Sequence, residues 1–202
     1  MPDFRNRLLS RALLIGLMIF AGLSGCSTTD TFEQPVPVPD IEASAEFKKV
    51  WSMSVGDGHD GDFLYLAPLN AGDRIFAAAA DGELYAVDPE SGSVIWETEF
   101  DGRVFSGLGG DGEHLYLTTQ NAELVALSRE DGSEVWRQSL PTEVLSAPQS
   151  NGSLVVAQAI SGQVLGFNAA DGEKRWQYDG SVPVLSIRAA AAPLVGGDVV
   201  IA

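Results

Sequence analysis

Apolar and polar positions along residues 72–96 follow one another as in short strands joined by turns. The segment GDRIFAAAA begins at a glycine and continues into an apolar stretch, GELYAV forms a second stretch, and SVIW forms a third. The intervening DPESG is rich in turn-forming residues, and its Gly92 can adopt a positive φ angle. FSGLGG, LSAP and AAAAP are candidates for a short first strand, so the pattern predicts units of four strands.

The pattern repeats with a period of 40 residues. Trp96, Trp136 and Trp176 are 40 positions apart, and each ends a matching segment. A small residue and a glycine recur at fixed places in these segments: Ala86, Ala126 and Gly166, and Gly92, Gly132 and Gly172. This period with strand-like units predicts an all-β fold, a β-propeller of four-stranded blades. We expect each tryptophan to fill the gap to a neighbouring blade, and the small residue to lie where the blades converge.

Trp51 departs from this spacing because it lies 45 residues before Trp96. It ends the segment FKKVW, and we predict that residues 47–55 form the outer strand of a blade whose other strands lie elsewhere. Residues 56–202 then supply three blades and the start of a fourth, whereas closed rings have about four to eight blades. We expect residues 47–202 to be the N-terminal part of a longer propeller. Pairing of two half-rings into a dimer is the alternative.

The first 25 residues have the composition of a secretory signal peptide. Three arginines precede the apolar stretch ALLIGLMIFAG, which is short for a membrane span and ends in small residues. The following LSGC contains Cys26, the single cysteine of the chain, so no intrachain disulfide can form. Residues 26–46 then form a polar segment with alternating prolines, which favour an extended conformation and predict a flexible tether.

Charge and composition argue against several kinds of function. A formal net charge of −16 makes nucleic-acid binding unfavourable. His59 and His114 are far apart in sequence, and the Asp-rich GDGHDGDF lacks the spacing of an EF-hand loop. The Gly-rich GLGGDG is followed by apolar strand pattern rather than by a helix, as a nucleotide-binding turn requires. We therefore predict no catalytic residue, no metal and no cofactor.

One blade-to-blade connection is longer than its counterpart. Pro148 follows Trp136 by 12 residues, whereas Pro193 follows Trp176 by 17, and the additional residues fall around LSIR at positions 185–188. Because loops on a rigid scaffold often carry function, Leu185, Ile187 and Arg188 are candidates for a partner-binding site. The alternative is that Leu185 and Ile187 pack into the core while Arg188 is merely solvated.

The repeats ending in DG-x-x-x-W resemble those of pyrroloquinoline-quinone (PQQ) propellers, which usually have eight blades. LSGC resembles the lipobox of bacterial lipoproteins, which implies lipidation of Cys26; the alternative is a free thiol. Ser27, rather than Asp, after the cysteine implies anchoring in the outer membrane with the protein facing the periplasm. Lipobox, tether and repeats together resemble the BamB family, the lipoproteins of the β-barrel assembly (BAM) machinery.

This resemblance implies a non-catalytic scaffold that binds the periplasmic domains of the central barrel subunit, BamA, and aids insertion of outer-membrane proteins. Leu185 and Arg188 match a Leu-x-Leu-Arg type motif of the family, and Ile187 replaces its second leucine. Unfolded outer-membrane proteins are further candidate partners, through addition of a strand to a blade edge. Two other functions stay open: a PQQ-dependent dehydrogenase, although the chain lacks an adjacent-cysteine pair, and a lipid-anchored scaffold for another envelope partner.

Overall fold

The chain divides into two units, residues 1–46 and 47–202. The computed structural model describes residues 45–58, 61–180 and 191–202. Within these ranges the regular secondary structure consists of 14 β-strands, all in the second unit, and contains no helix.

Three four-stranded antiparallel sheets follow one another along the chain, and each is one blade. Blade 1 comprises β1 (Leu69–Asn70), β2 (Ile75–Ala78), β3 (Glu83–Val87) and β4 (Val94–Glu99). Blade 2 comprises β5 (Gly109–Gly110), β6 (His114–Thr118), β7 (Glu123–Ser128) and β8 (Glu134–Ser139). Blade 3 comprises β9 (Gln149–Ser150), β10 (Leu154–Gln158), β11 (Gln163–Asn168) and β12 (Lys174–Asp179). A hairpin of β13 (Leu194–Val195) and β14 (Val200–Ile201) follows, so the predicted all-β fold with four-stranded blades is confirmed.

The first strand of a blade begins slightly later than the sequence predicted in two of three cases. FSGLGG does contain β5, but β9 begins immediately after Pro148 and β13 immediately after Pro193. Because proline has no backbone N–H to donate, it cannot contribute fully to a ladder, and pairing starts at the next residue.

The small residue in the third strand of each blade lies opposite the tryptophan of the fourth strand. Ala86, Ala126 and Gly166 pair with Trp96, Trp136 and Trp176 of the neighbouring strand, and a shift of register follows each small residue. A Cβ atom on Gly166 would lie 2.5 Å from Nε1 of Trp176. The position is therefore small because the indole of the outer strand lies across it.

The core consists of two clusters, one at each junction between the complete blades. β6 contributes to both: Leu115 and Leu117 pack with residues of blade 1, whereas Tyr116 packs towards blade 3. β7 alternates in the same way, with Val125 on one side and Leu124 on the other. Since successive side chains of a strand point to opposite faces, a middle blade buries both faces, and the central residues of β6 and β7 are therefore apolar on both faces.

The strand predicted at residues 47–55 is not observed, although this segment is described from residue 45 onwards. A strand requires hydrogen bonds to a neighbouring strand, and none of the described strands pairs with these residues. The segment contacts blade 1 through the side chain of Trp51, whose indole N–H donates to the carbonyl oxygen of Pro89 at 2.9 Å.

Ala122 lies at the β6–β7 turn with a φ angle of 56°, which is unusual for a residue with a side chain. Gly82 and Gly162 occupy the same place in blades 1 and 3, with φ angles of 110° and 84°. We expect Ala122→Gly to leave stability unchanged or raise it by up to about 1 kcal/mol, because relief of backbone strain offsets the greater entropy of the unfolded chain. Urea denaturation measures this change, and a loss above about 1 kcal/mol would show that the alanine methyl group matters more than the strain.

Candidate functional site

The residues predicted from sequence to act in anchoring and partner binding lie outside the described part of the chain. Cys26 falls in residues 1–44, and Leu185, Ile187 and Arg188 fall in residues 181–190. The four repeat tryptophans are all described. The surroundings of the candidate loop can therefore be built from blade 3, which precedes it, and from the β13–β14 hairpin, which follows it.

Three tryptophans join neighbouring blades through one repeated arrangement, which we call the tryptophan clasp. The indole N–H donates to a backbone carbonyl in the turn between the third and fourth strands of a blade. Trp51 donates to Pro89 at 2.9 Å, Trp96 to Arg129 at 3.1 Å and Trp136 to Ala169 at 2.8 Å. The ring covers the glycine three residues after that carbonyl: Gly92, Gly132 and Gly172. These glycines have φ angles of 71°, 74° and 71°. Trp51, Trp96 and Trp136 thus each fill the gap to the blade that they contact.

Trp51 makes this contact without belonging to a strand. Its ring lies against Gly92, where a Cβ atom would meet the indole Cδ2 at 2.5 Å. Trp51 thus contacts blade 1 as Trp96 contacts blade 2. The five additional residues between Trp51 and Trp96 lie in the chain between this clasp and β4, and do not alter the clasp itself.

Trp176 is the exception among the four, since no described residue completes a clasp for it. It is only half-buried, and its ring borders a groove of about 480 Å³. The other residues that line this groove come from blade 3, from its end and from the last residues of the chain: Gln158, Gly162, Val164, Tyr178, Gly180, Val200 and Ala202.

The groove lies where the two preceding junctions place an apolar side chain. Phe100 and Leu140 directly follow β4 and β8, are 6% and 8% exposed, and belong to the two core clusters. Gly180 directly follows β12 and makes the corresponding backbone hydrogen bond, to Gly162 O at 3.1 Å. Gly180 therefore contributes no side chain to this junction, where the two preceding junctions have Phe100 and Leu140.

Gln158 adds an unsatisfied polar atom to this groove. Its Oε1 is buried and has no hydrogen-bond partner among the described residues. Thr118 holds the same position in blade 2, and its hydroxyl donates to the carbonyl oxygen of Val144 in the following connection at 2.7 Å. Buried polar groups are normally paired, so Gln158 marks a place on blade 3 that is able to accept a hydrogen bond.

The connection that leaves blade 3 is longer than the other two. Residues 100–108 join β4 to β5 and residues 140–148 join β8 to β9, whereas residues 180–193 join β12 to β13. Exposed apolar side chains stand at both of its ends: Tyr178 is 65% exposed and Leu194 is 66% exposed. The strand bounds therefore place the five-residue excess between these two side chains.

Charged side chains at the other junctions have defined partners. Arg137 donates to Glu134 at 2.7 Å and to Glu123 at 2.9 Å, and its guanidinium lies 5.2 Å from the centre of the Phe100 ring. The hydrogen bond with Glu134 and the charges of both glutamates raise the pKa of Arg137 above its ordinary value. Arg137 thus covers an apolar side chain of the blade 1–2 junction while remaining paired.

Asp111 is a more deeply buried charge, with a side chain that is 7% exposed. Burial alone raises its pKa, but hydrogen bonds from the backbone of Glu113 and His114 and from the hydroxyls of Ser150 and Tyr116 outweigh burial and lower that pKa. Burial first, and then the neighbouring carboxylate, raise the pKa of Tyr116.

The described residues contain no group of three or more His, Cys, Asp or Glu side chains placed to hold a metal ion. In the same part of the chain, no helix has the length and apolar character needed to cross a bilayer.

Sequence reasoning missed Gly180, Gln158 and Asp111. Alignment at the 40-residue period contains a signal for Gly180, since it replaces Phe100 and Leu140. Gln158 likewise replaces Thr118. Asp111 stands where blade 3 has Asn151 and blade 1 has Ala71, and only the structure shows that its carboxylate crosses to the next blade.

Comparison with known proteins gives a consistent result. The model of a family described as outer membrane protein assembly factor BamB matches residues 43–108 and 104–202. A protein of that description from Marinobacter adhaerens is 80% identical over 196 residues, which cover 97% of this chain and 50% of the relative. Another from Vibrio cholerae is 37% identical over 89 residues, covering 44% of this chain and 23% of the relative. The chain thus spans about half the length of the first relative.

Among solved structures, the crystal structure of BamB from Moraxella catarrhalis aligns with a TM-score of 0.56. Its sequence identity is 24%, and the alignment covers 64% of this chain and 38% of that chain. This likeness supports the propeller fold.

Proposed function

The chain belongs to the family of outer membrane protein assembly factor BamB, and from this membership we propose that it is a non-catalytic scaffold of the β-barrel assembly complex. In this role the blades hold a binding surface for the periplasmic domains of the central barrel subunit, BamA, and so aid the insertion of outer-membrane proteins. The observation that carries the proposal is the family match, which extends over both the blades and the residues between Trp51 and β1.

The blades have the properties that a scaffold requires. The tryptophan clasps join each described junction from Trp51 to blade 3 by a hydrogen bond and a ring contact. Arg74 adds an ion pair to Glu130 at 3.2 Å, and Arg129 adds another to Asp73, so blades 1 and 2 are also joined by charge. Loops held by such fixed elements lose little entropy when a partner binds.

We propose that Leu185, Ile187 and Arg188 form the partner contact. The supporting observations are the five-residue excess between Asp179 and Leu194 and the exposed Tyr178 and Leu194 that flank it. Apolar side chains give such a contact its desolvated centre, and a guanidinium orients it by pairing with carboxylate or carbonyl oxygens.

We also propose that a lipid on Cys26 anchors the protein in the outer membrane, with the propeller in the periplasm and residues 27–46 as the tether. The signal-like residues 1–25 and the LSGC sequence support this location. Several acyl chains on one residue give stable anchoring, whereas a single chain binds only marginally.

Site-specific photocrosslinking in intact cells tests the partner contact. A photocrosslinking amino acid at position 188 of the full-length protein should give a product shifted by the mass of the central barrel subunit. The matched control is position 175: Arg175 is also an arginine, lies on β12 of blade 3, and has a side chain that is 51% exposed. Arg129 is a poorer control, because its side chain is only 16% exposed and packs at a blade junction.

A companion measurement separates binding from stability. Arg188→Ala should weaken binding to the central subunit about tenfold, the size of an ordinary hot-spot contact, while Arg175→Ala should not. The melting temperature should be unchanged in both variants. Equal crosslinking at positions 188 and 175 would remove the assignment of this site.

PQQ- and Ca²⁺-dependent dye reduction by the full-length protein would contradict a non-catalytic role.

A further inference from the structure

The junction between blades 2 and 3 contains a buried carboxylate that connects the two blades. Oδ1 of Asp111 accepts hydrogen bonds from the backbone N–H groups of Glu113 and His114, both at 2.9 Å. Oδ2 accepts one from the Tyr116 hydroxyl and one from the Ser150 hydroxyl, both at 2.7 Å. Ser150 belongs to β9 of the next blade, so this oxygen joins blade 2 to blade 3. We call these five groups the Asp111 latch.

The neighbouring junction has the same construction without an ionisable group. Asn151 occupies the corresponding position in blade 3, and its Oδ1 accepts from the backbone of Ser153 at 3.1 Å and of Leu154 at 2.9 Å. Its Nδ2 donates to Gly196 O at 2.9 Å, between β13 and β14. The equivalent pair of turn amides therefore donates to a carboxylate oxygen in blade 2 and to a neutral amide oxygen in blade 3.

The junction between blades 1 and 2 lacks this connection altogether. Ala71 and Gly110 stand where the next junction has Asp111 and Ser150, and a cleft of about 330 Å³ lies there. Of the three junctions described, one alone is joined through a carboxylate at this position.

We propose that the Asp111 latch makes the junction between blades 2 and 3 selectively acid-sensitive. Uptake of a proton by the carboxylate removes its charge and turns one of its two oxygens into a donor. The carboxyl group then accepts the four hydrogen bonds from the two turn amides and from the Ser150 and Tyr116 hydroxyls less strongly. The contact from Asp111 to blade 3 then weakens, while the Asn151 contact, which has no proton to gain, holds. This inference does not depend on the proposed scaffold function.

The direction of the effect follows from the groups around the carboxylate. The pKa of Asp111 in the folded protein is lowered from its ordinary value of 3.8. A group of this kind contributes stability that is complete above the unfolded pKa and is lost as the pH falls through the folded pKa. The Asp111 latch therefore keeps its hydrogen bonds at neutral pH, and these weaken in strong acid.

Other titratable groups face the same carboxylate and determine the design of the test. His114 Nδ1 lies 3.8 Å from Oδ1, and a protonated imidazole there would favour the charged carboxylate. Glu113 is adjacent in the turn, Tyr116 stays neutral at acidic pH, and Arg129 borders the same cleft as Asp111. Of these, His114 has the basic side chain nearest to the carboxylate, so its removal is the control that the test needs.

Amide hydrogen exchange measured by NMR on the full chain tests the latch. Protection factors, corrected for intrinsic exchange, are followed from pH 6 down to pH 1.5 for the amides of Glu113 and His114, because the lowered pKa of Asp111 places its protonation in strong acid. We expect protection to fall by more than about threefold towards the acidic end of this range. The amides of Ser153 and Leu154 form the internal control and should change by less than about twofold.

Two variants make the outcome decisive. Asp111→Asn introduces the residue that blade 3 already uses, and it should remove the pH dependence at Glu113 and His114. His114→Gln removes the imidazole and should leave the dependence in place. The proposal is overturned if the Glu113 and His114 amides show no loss, if Ser153 and Leu154 lose protection equally, if Asp111→Asn keeps the dependence, or if His114→Gln abolishes it.

Discussion

Gly109→Ala is expected to lower the free energy of unfolding by about 3 kcal/mol, at the upper end of the ordinary cost of overpacking. Gly109 lies on β5 of blade 2, directly beside Pro148, the residue that precedes β9 of blade 3. A Cβ atom there would overlap the Pro148 carbonyl oxygen and would lie 2.8 Å from its carbonyl carbon. These are backbone atoms, so no side-chain rotation can relieve the overlap.

The structure can accommodate this methyl group only by moving the two innermost strands apart. Such a shift strains the pairing of Gly109 with Tyr116 in blade 2 and of Gln149 with Val156 in blade 3. Tyr116 and Val156 are both fully buried, so the displacement is transmitted into the core.

Gly112→Ala is the matched control for this prediction. It is the same substitution three residues away in the same blade, at a site where a Cβ atom meets nothing within 4 Å and the φ angle is not positive. Its effect should lie between zero and a gain of about 1 kcal/mol, because alanine restricts the unfolded chain. Urea denaturation followed by tryptophan fluorescence measures both variants, and equal stabilities would show that β5 and Pro148 are farther apart than the structure has them.

The sequence predicted what the blades share and missed what distinguishes their junctions. A fixed period exposes residues that recur, such as the tryptophans and the turn glycines, because each blade needs the same clasp. Gly109 has Leu69 and Gln149 as its counterparts, so nothing in the repeat marks it. Junction-specific contacts require knowledge of which backbones meet, and this depends on tertiary packing.

The outer strand predicted at residues 47–55 illustrates the same limit. Trp51 contacts blade 1 through its side chain, but the predicted strand is not observed, since strand formation also requires a paired neighbour. Side-chain docking and strand pairing are therefore separable, and the sequence pattern reports the first more directly. The site at Leu185, Ile187 and Arg188 stays a prediction, for which blade 3 supplies the surroundings.

The tryptophan clasp leads to the second large prediction, that Trp136→Ala lowers the free energy of unfolding by about 4 kcal/mol. The Trp136 side chain is 9% exposed, belongs to the core cluster between blades 2 and 3, and lies 5.9 Å from the ring of Tyr116. Truncation leaves a cavity and also removes the donor to Ala169 O, which is buried because Ala169 is 1% exposed. Both losses act at one junction, so their costs add to a large effect.

Trp176→Ala supplies the comparison, since the two tryptophans are indistinguishable within the repeat. Trp176 is half-buried and borders the open groove, with no acceptor for its indole N–H among the described residues. Its replacement should lower the free energy of unfolding by less than about half as much as that of Trp136. The half-buried Trp176 ring removes less apolar area from water, and no buried carbonyl loses its donor.

Trp136→Phe divides the clasp energy between its two parts. Phenylalanine keeps most of the ring contact with Gly172 but cannot donate to Ala169 O, so about 1–3 kcal/mol should be lost through the unpaired carbonyl. Denaturation of the three variants should show the largest loss of unfolding free energy for Trp136→Ala and smaller losses for Trp136→Phe and Trp176→Ala. Equal losses for Trp136→Ala and Trp176→Ala would mean that an indole contributes the same energy with or without a partner turn. The hydrogen bond and ring contact of the clasp would then add no stability to the junction between blades.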